Sequence, residues 1–286
     1  MQRRLGFAAL VIVSMLAETT FGQIQAKSCP LPPGERPSGP DISIAEVTFS
    51  GSIQLPLSEQ RQVATAVQEK TRRSRLEDVV DSASELTREG WQNHGYFTAQ
   101  VSGSADILPS DAVGQRVALN MQVEEGRQYR FGEITVKNNK AISSDTLRAF
   151  FPIRRGEVFN REEMTAGLDN LRKAYDELGY ANFVPVPEAS IDEQSQSVSF
   201  EIDIDEGRQF HFAAPSLIGF DDDSRQRFLA DFPTGQVYSR RRVKQFLEDR
   251  SSIVRFLSDD PFHLEIRFNE RTGTVAITLD ARPCAE

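Results

Sequence analysis

Apolar and polar residues alternate along two stretches of the chain that lie 81 positions apart. Apolar residues occupy every second position of 117–123 and again of 198–204. A period of two predicts strands with one face buried and the other in water. Each stretch is followed by Glu-Gly-Arg-Gln, which begins at Glu125 and at Glu206. A match of this length at one spacing indicates that a unit of about 80 residues occurs more than once.

A helical pattern precedes each alternating stretch. In the second copy, apolar residues recur at spacings of four and three between 164 and 178, which predicts a helix with one buried stripe and Asn160 as its N-cap. A shorter helix capped by Ser143 or Ser144 comes before it. In the first copy we expect Ser74 to cap the long helix, with apolar positions from Leu76 to Trp91. Glycine follows both long helices, in Gly95-Tyr96 and Gly179-Tyr180, where a left-handed backbone commonly ends a helix.

A strand with a phase slip opens each copy. Its inward apolar residues are Ile42, Ile44, Val47 and Phe49 in the first copy, and Tyr129, Phe131, Ile134 and Val136 in the second. A shared slip predicts a β-bulge at the same place in both. A third, weaker copy has a first strand around Phe212 and Leu217, a helix capped by Ser239, and a hairpin around Gly273. The predicted class is α+β, a tandem array of three small β-α-α-β-β domains, each with a three-stranded sheet covered on one face by two helices.

The pattern divides the chain into five segments. They are a signal peptide (1–22), a proline-rich linker (23–41) and three domains (42–126, 127–207 and 208–283). The signal is predicted from two arginines before an apolar run that is shorter than the roughly 20 residues a membrane-spanning helix needs. We therefore expect an exported protein.

The net charge of −9 makes nucleic acid and anionic lipid poor partners for this chain. The one strong basic cluster, Arg240-Arg241-Arg242 with Lys244, opens a predicted helix, and we expect it to form a solvated face.

Residues suited to catalysis are few. Three histidines stand at non-equivalent positions without metal-ligand spacing, and neither cysteine has the context of a nucleophile. We therefore predict no enzyme activity, catalytic residue, metal, cofactor or small-molecule substrate. Cys29 and Cys284 could form a disulfide in an oxidising compartment if their Cα atoms came within roughly 7 Å; an intermolecular bridge and free thiols are the alternatives.

The repeated unit, with its Gly-Tyr step and its acidic-Gly exit, resembles POTRA domains, the periplasmic modules of the Omp85 and two-partner-secretion families. The resemblance covers 42–283 and is weakest in the third copy. The array as a whole resembles that of Omp85-type outer-membrane assembly proteins. Because the chain ends at Glu286, we expect such an array without the C-terminal β-barrel. The resemblance implies a periplasmic location for the protein, either free or peripheral to the outer membrane.

The resemblance also implies a non-catalytic function, the binding of extended polypeptide by β-augmentation during outer-membrane protein assembly or secretion. The partner would be an outer-membrane β-barrel protein, an Omp85-type complex or an extended client polypeptide. The predicted binding residues lie on the edge strands of the first and third copies: Tyr96, Phe97, Ala99, Val101, Phe262, Leu264 and Ile266. Pro185 and Pro187 make the second edge the poorest template, because proline has no N–H to donate. The alternatives are a scaffold of an envelope or division complex, and the remnant of an Omp85-type protein that lost its barrel.

Overall fold

The computed structural model describes residues 42–71, 76–111, 114–249 and 263–281. The predicted signal peptide and linker, the helix cap at Ser74, the edge residue Phe262, and both Cys29 and Cys284 lie outside these residues.

The first repeat has the predicted order of strands and helices. Strand β1 forms one edge of its sheet, pairs in parallel with β3 in the centre, and β3 pairs antiparallel with β2 at the other edge. The elements are β1 (Ile42–Ser52), α1 (Leu57–Thr71), α2 (Val79–Gln92), β2 (Gln100–Asp111) and β3 (Gly114–Glu124). Helix α2 begins at Val79 rather than ahead of Leu76, which is exposed.

The second repeat has the same topology, with β6 between β4 and β5. Its elements are β4 (Arg130–Lys137), α3 (Ser144–Arg148), α4 (Arg161–Glu177), β5 (Val184–Asp192) and β6 (Ser197–Asp205).

The third repeat differs in its first strand, which consists of two short pieces that both pair in parallel with the central strand. The other edge strand pairs antiparallel on the opposite side. Its elements are β7 (His211–Phe212), β8 (Ser216–Ile218), α5 (Asp222–Asp231), α6 (Arg240–Asp249), β9 (His263–Asn269) and β10 (Thr274–Asp280). Three sheets of one topology, each with two helices, confirm the predicted α+β tandem array.

Local features predicted from the repeats are present. The pairing register shifts between Ile44 and Glu46 in β1 and between Phe131 and Ile134 in β4, as the phase slips predict. The caps also form. The side chains of Ser143, Asn160 and Ser239 each accept a hydrogen bond from the backbone N–H three residues later, at 3.3, 3.0 and 3.2 Å.

Each sheet buries one face under its helices. In the first repeat, Val67 and Trp91 from the helices and Leu119 from β3 belong to one buried cluster. Residues at alternate positions of β3 are buried, which is the pattern expected of a sheet with one covered face.

The described residues form two compact units. One comprises those up to Lys173 together with Val184–Glu206, and the other comprises Ala174–Phe183 with those from Gly207 onward. The division falls within the second repeat, because Ala181 lies in the buried cluster of the third. The domain boundaries 42–126, 127–207 and 208–283 therefore stay a prediction.

Candidate functional site

The three strands predicted to lie at sheet edges, two of them as binding edges, are edge strands in the structure. Among the described residues, β2, β5 and β9 each pair on one side only, with β3, β6 and β10 respectively. Strand β2 is 12 residues long, β5 is 9 and β9 is 7. An edge strand offers backbone N–H and C=O groups to an added strand, so each is a candidate site for an extended peptide.

The three edges have the same register against their central strands. The opposed pairs that align them are Ile107 with Val117, Ile191 with Val198, and Phe268 with Val275. Counting back along each strand, Val101 of β2 corresponds to Pro185 of β5. Gly103 corresponds in the same way to Pro187 and to Leu264 of β9. The three edges can therefore be compared position by position.

The prolines of β5 show which backbone groups face outward. Pairing with β6 is continuous along Val184–Asp192, and a proline directed at β6 would leave that ladder without a donor. Because residues of an antiparallel pair alternate in direction, Pro185 and Pro187 face away from β6. By the same register, the outward-facing positions of β2 are Val101, Gly103, Ala105 and Ile107.

The predicted site residues fall into two groups. Val101, Leu264 and Ile266 occupy outward-facing positions of their edge strands. Tyr96, Phe97 and Ala99 do not, because β2 begins at Gln100. The N–H groups of Phe97 and Ala99 donate to the carbonyl oxygens of Gly95 and Tyr96, at 2.9 and 3.0 Å. This segment, predicted as a strand, is therefore a turn.

Phe97 belongs instead to the joint between the first two repeats. Its ring centroid lies 5.1 Å from that of Phe159 and 6.1 Å from that of Phe200, both in the second repeat. The corresponding residue one repeat later is Ala181, which is buried in the cluster of the third repeat. The residue after each Gly-Tyr step thus packs into the following repeat, and only its repetition could have indicated this.

The two repeated motifs meet each other at this joint. The N–H of Tyr129 donates to the carbonyl of Gly95 at 2.8 Å, and the Gln128 side chain donates to the carbonyl of His94 at 2.9 Å. Gly95 has a φ of +89°, and a Cβ there would lie 3.0 Å from the Tyr129 carbonyl. Glycine is therefore required both by the backbone conformation and by the close approach.

The same bonds recur at the start of the third repeat. The N–H of Phe210 donates to the carbonyl of Gly179 at 2.8 Å, and the Gln209 side chain donates to the carbonyl of Leu178 at 2.9 Å. The matching Gly-Tyr and Glu-Gly-Arg-Gln motifs in the sequence therefore encode one joint used twice.

Charged groups reinforce each joint differently. At the first, Arg161 is 17% exposed and forms ion pairs with Glu85 and Glu89. At the second, the Arg241 guanidinium donates two hydrogen bonds to the Glu177 carboxylate, at 2.5 and 2.8 Å. The basic cluster at 240–242 is exposed, as predicted, but this arginine also holds the end of α4.

Two neighbouring carboxylates at the second joint have shifted pKa values. The hydrogen bond from Arg241 lowers the pKa of Glu177. Burial raises the pKa of Asp176, whose carboxylate accepts the backbone N–H of Arg240 at 3.0 Å. Burial also raises the pKa of Tyr238 nearby to about 12. The first joint has Gln92 and Asn93 at the places of these two acids, so it lacks this pair of titrating groups.

The repeated glutamate of the Glu-Gly motif organises the loop after the first strand. Glu125 is 1% exposed and accepts hydrogen bonds from the N–H groups of Gln54 and Leu55, at 2.6 and 2.9 Å, and from the Trp91 indole at 2.8 Å. In the second repeat, Glu206 accepts the N–H groups of the corresponding loop at 2.6 and 2.8 Å. The repetition of the Glu-Gly motif alone does not indicate which groups the glutamate binds.

The glycines that follow these two glutamates have a left-handed backbone conformation. Gly126 and Gly207 have φ values of +71° and +66°, which a turn between consecutive repeats requires. Elsewhere in the described part of the chain, no three His, Cys, Asp or Glu residues are grouped to hold a metal ion. No helix of the described ranges is long and apolar enough to cross a membrane.

Comparisons with known proteins match this fold. Residues 129–207 match the POTRA family model, described as surface antigen variable number repeat. An outer membrane protein assembly factor of Treponema pallidum (strain Nichols) is 24% identical over 248 residues, 85% of this chain and 29% of that protein. Outer membrane protein assembly factor BamA of Neisseria meningitidis serogroup B is 24% identical over 126 residues, 42% of this chain and 15% of that protein.

Among solved structures, the crystal structure of Haemophilus influenzae BamA POTRA3-5 covers 87% of this chain and 100% of its own, with a TM-score of 0.58 and 16% identity. That likeness is one of fold. The second repeat is thus a POTRA domain, and the three repeats have the fold of a tandem POTRA array. The chain spans less than a third of the length of the curated relatives it matches.

Proposed function

We propose that this tandem array of POTRA domains is a non-catalytic, periplasmic polypeptide-binding module that acts in outer-membrane protein assembly or secretion. It binds extended segments by β-augmentation along the edge of β2. Its partner is an outer-membrane protein, an Omp85-type complex or an extended client polypeptide. The names of the relatives support the process and the compartment, and the edge supports the mode of binding.

The observation that carries this proposal is the chemistry of β2. Natural edge strands are commonly blunted by lysine, proline or short length. Strand β2 is the longest of the three edges, and its first nine residues, 100–108, contain one charged residue, Asp106, and no proline; Pro109 and Asp111 lie at its end. Its outward positions therefore retain their N–H donors over the length of a typical added strand.

The other two edges rank below β2. Pro185 and Pro187 remove two outward donors from β5. Strand β9 keeps its donors at Leu264 and Ile266 but is the shortest of the three. We expect β2 to bind best, β9 second and β5 least.

The experiment is a proline substitution that β5 already tolerates at the same register. Val101→Pro removes one outward N–H from β2, and Val101→Ala is the matched control that keeps it. The probe is a fluorescently labelled peptide of alternating threonine and valine, with a lysine at each end. We expect Val101→Pro to weaken binding roughly 10-fold, the effect of one lost hydrogen bond and its steric cost, while Val101→Ala binds within about twofold of the parent.

Circular dichroism and the fluorescence of Trp91 establish that both variants are folded. Equal binding by a folded Val101→Pro variant would reject β2 as the docking edge. If the valine side chain rather than the N–H were what binds the peptide, Val101→Pro and Val101→Ala would lose affinity equally.

The repeated joints favour one second candidate, a scaffold of an envelope or division complex that contacts fixed partners. Backbone hydrogen bonds from Tyr129 to Gly95 and from Phe210 to Gly179 tie the start of a repeat to the preceding Gly-Tyr step. A scaffold would bind one partner stoichiometrically through its helix faces. It would ignore the alternating peptide, so the same titration separates the two candidates.

A further inference from the structure

We infer that a second copy of this chain pairs with the first through β2, edge to edge and antiparallel, with Ser104 on the two-fold axis. The inference goes beyond the proposed function and shares with it only the edge. Since one edge cannot pair with two strands at once, self-pairing would compete with an extended client.

The outward positions of β2 are symmetric about Ser104. A two-fold axis there places Val101 opposite the partner copy's Ile107 position, and Gly103 opposite its Ala105 position. All four are outward-facing, so both kinds of pair can exchange backbone hydrogen bonds. A shift of one residue would bring inward-facing groups to the interface and lose these bonds.

The side chains fit this register on both faces. Ile107 is 63% exposed, and Val101 of the other copy would cover it. On the opposite face, exposed Ser102 of one copy lies across from Asp106 of the other, and the two Ser104 residues lie across from each other. Like charges therefore do not face each other.

The other two edges carry charges that oppose the same arrangement. The residue corresponding to Ser104 is Glu188 in β5 and Glu265 in β9. Two-fold pairing would place each glutamate directly opposite the same glutamate of the other copy, and like charges at opposed positions destabilise a sheet. Pro185 and Pro187 remove donors from β5 as well. Among the described edges, β2 alone has an uncharged residue on the axis.

The test uses single cysteines in the full chain with Cys29 and Cys284 replaced by serine. Ser104→Cys places two cysteines opposite each other in a non-hydrogen-bonded pair, about 4.5 Å apart at Cα, within disulfide range. Ser102→Cys is the control on the same face of the same strand, since its two copies would lie about 14 Å apart along the strand. We expect Ser104→Cys to give disulfide-linked dimers on mild oxidation and Ser102→Cys to remain monomeric.

A double variant fixes the register. Ser102→Cys with Asp106→Cys should restore the dimer, because these positions face each other across the axis, and Asp106→Cys alone should not. Adding Val101→Pro to Ser104→Cys should reduce the dimer by removing outward donors. Equal cross-linking of Ser104→Cys and Ser102→Cys, or a monomer for both at the highest soluble concentration, would overturn the inference. Neither result touches the client-binding proposal, which is tested by peptide affinity of the same chain.

Discussion

The first and second repeats have the same backbone arrangement but differ at three corresponding places. They share sheet order, register, bulge and joint. Two of these places differ in residue type, Val101 and Pro185 on the edge and Phe97 and Ala181 after the Gly-Tyr step. The third differs in burial, since Glu125 is 1% exposed and Glu206 is only half-buried. The shared features depend on backbone hydrogen bonds, so they constrain a few glycines and caps. The differences depend on side chains, and we expect them to decide which edge binds and how strongly each joint is held.

The largest expected difference concerns the two glutamates. Glu125→Gln leaves at least one buried N–H facing an amide donor, so we expect the free energy of unfolding of the first repeat to fall by about 3 kcal/mol. Glu206 is less buried than Glu125, and solvent can reach the groups around its carboxylate, so Glu206→Gln should cost less than about 1 kcal/mol. Urea unfolding followed through Trp91, the single tryptophan, measures the first, and circular dichroism the second. Equal losses would mean that burial of the carboxylate does not distinguish the repeats.

The second difference concerns the residues that pack into the following repeat. Phe97→Ala removes a half-buried ring from contact with Phe159 and Phe200, and we expect a loss of about 2 kcal/mol, below the range for a fully buried phenylalanine. Ala181→Gly removes one methyl group and should cost about 1 kcal/mol. Calorimetry should show the transitions of the first two repeats separating in Phe97→Ala. Phe97→Leu is the control, and a single unchanged transition in Phe97→Ala would argue against a packing role for this ring.

The third difference concerns the edges and can be reversed. In the Val101→Pro background, Pro185→Val with Pro187→Val restores two outward donors to β5. We expect affinity for the alternating peptide to rise by roughly 2- to 10-fold, the effect of one or two new hydrogen bonds. Pro185→Val alone should give a smaller gain. An unchanged affinity in a folded double variant would show that the missing N–H donors are not the reason why β5 binds the peptide poorly.

The smallest expected effect is on pH dependence. Glu177 has an ordinary pKa of 4.5, which Arg241 lowers in the folded chain, so its ion pair contributes stability above that pH and loses it as the pH falls through the lowered value. Asp176 acts in the opposite direction because burial raises its pKa. Since the Arg241 pair is exposed, we expect Glu177→Gln to cost a few tenths of a kcal/mol at pH 7. The unfolding free energies of the parent and of Glu177→Gln should converge as the pH falls below the lowered pKa of Glu177. A difference that persists to the acid end of the titration would assign the loss to something other than charge.

Much of the fold could be predicted because it depends on local chemistry. Alternation of period two found the central strands, and the shared phase slips found both bulges. The caps at Asn160 and Ser239 follow from side chains that bond a backbone N–H three residues away. Each of these signals lies within a few residues of the structure it predicts.

The rest depends on contacts between distant parts of the chain. Tyr96, Phe97 and Ala99 have a composition typical of strands, but a turn continues past Gly95, and the ring of Phe97 packs in the next repeat. Glu125 follows an alternating strand in the sequence, and its role requires that Trp91, 34 residues earlier, points at its carboxylate. A sequence pattern records that such residues recur but not what they contact.

Amide hydrogen exchange followed by NMR, with and without the alternating peptide, shows whether an added strand pairs with β2. We expect new protection at alternate residues of β2, at Val101, Gly103, Ala105 and Ile107, whose N–H groups face outward. Their neighbours Ser102 and Ser104 should change little because β3 already protects them. Protection that falls equally on β5, or that shows no alternation along β2, would contradict binding by an added strand at this edge.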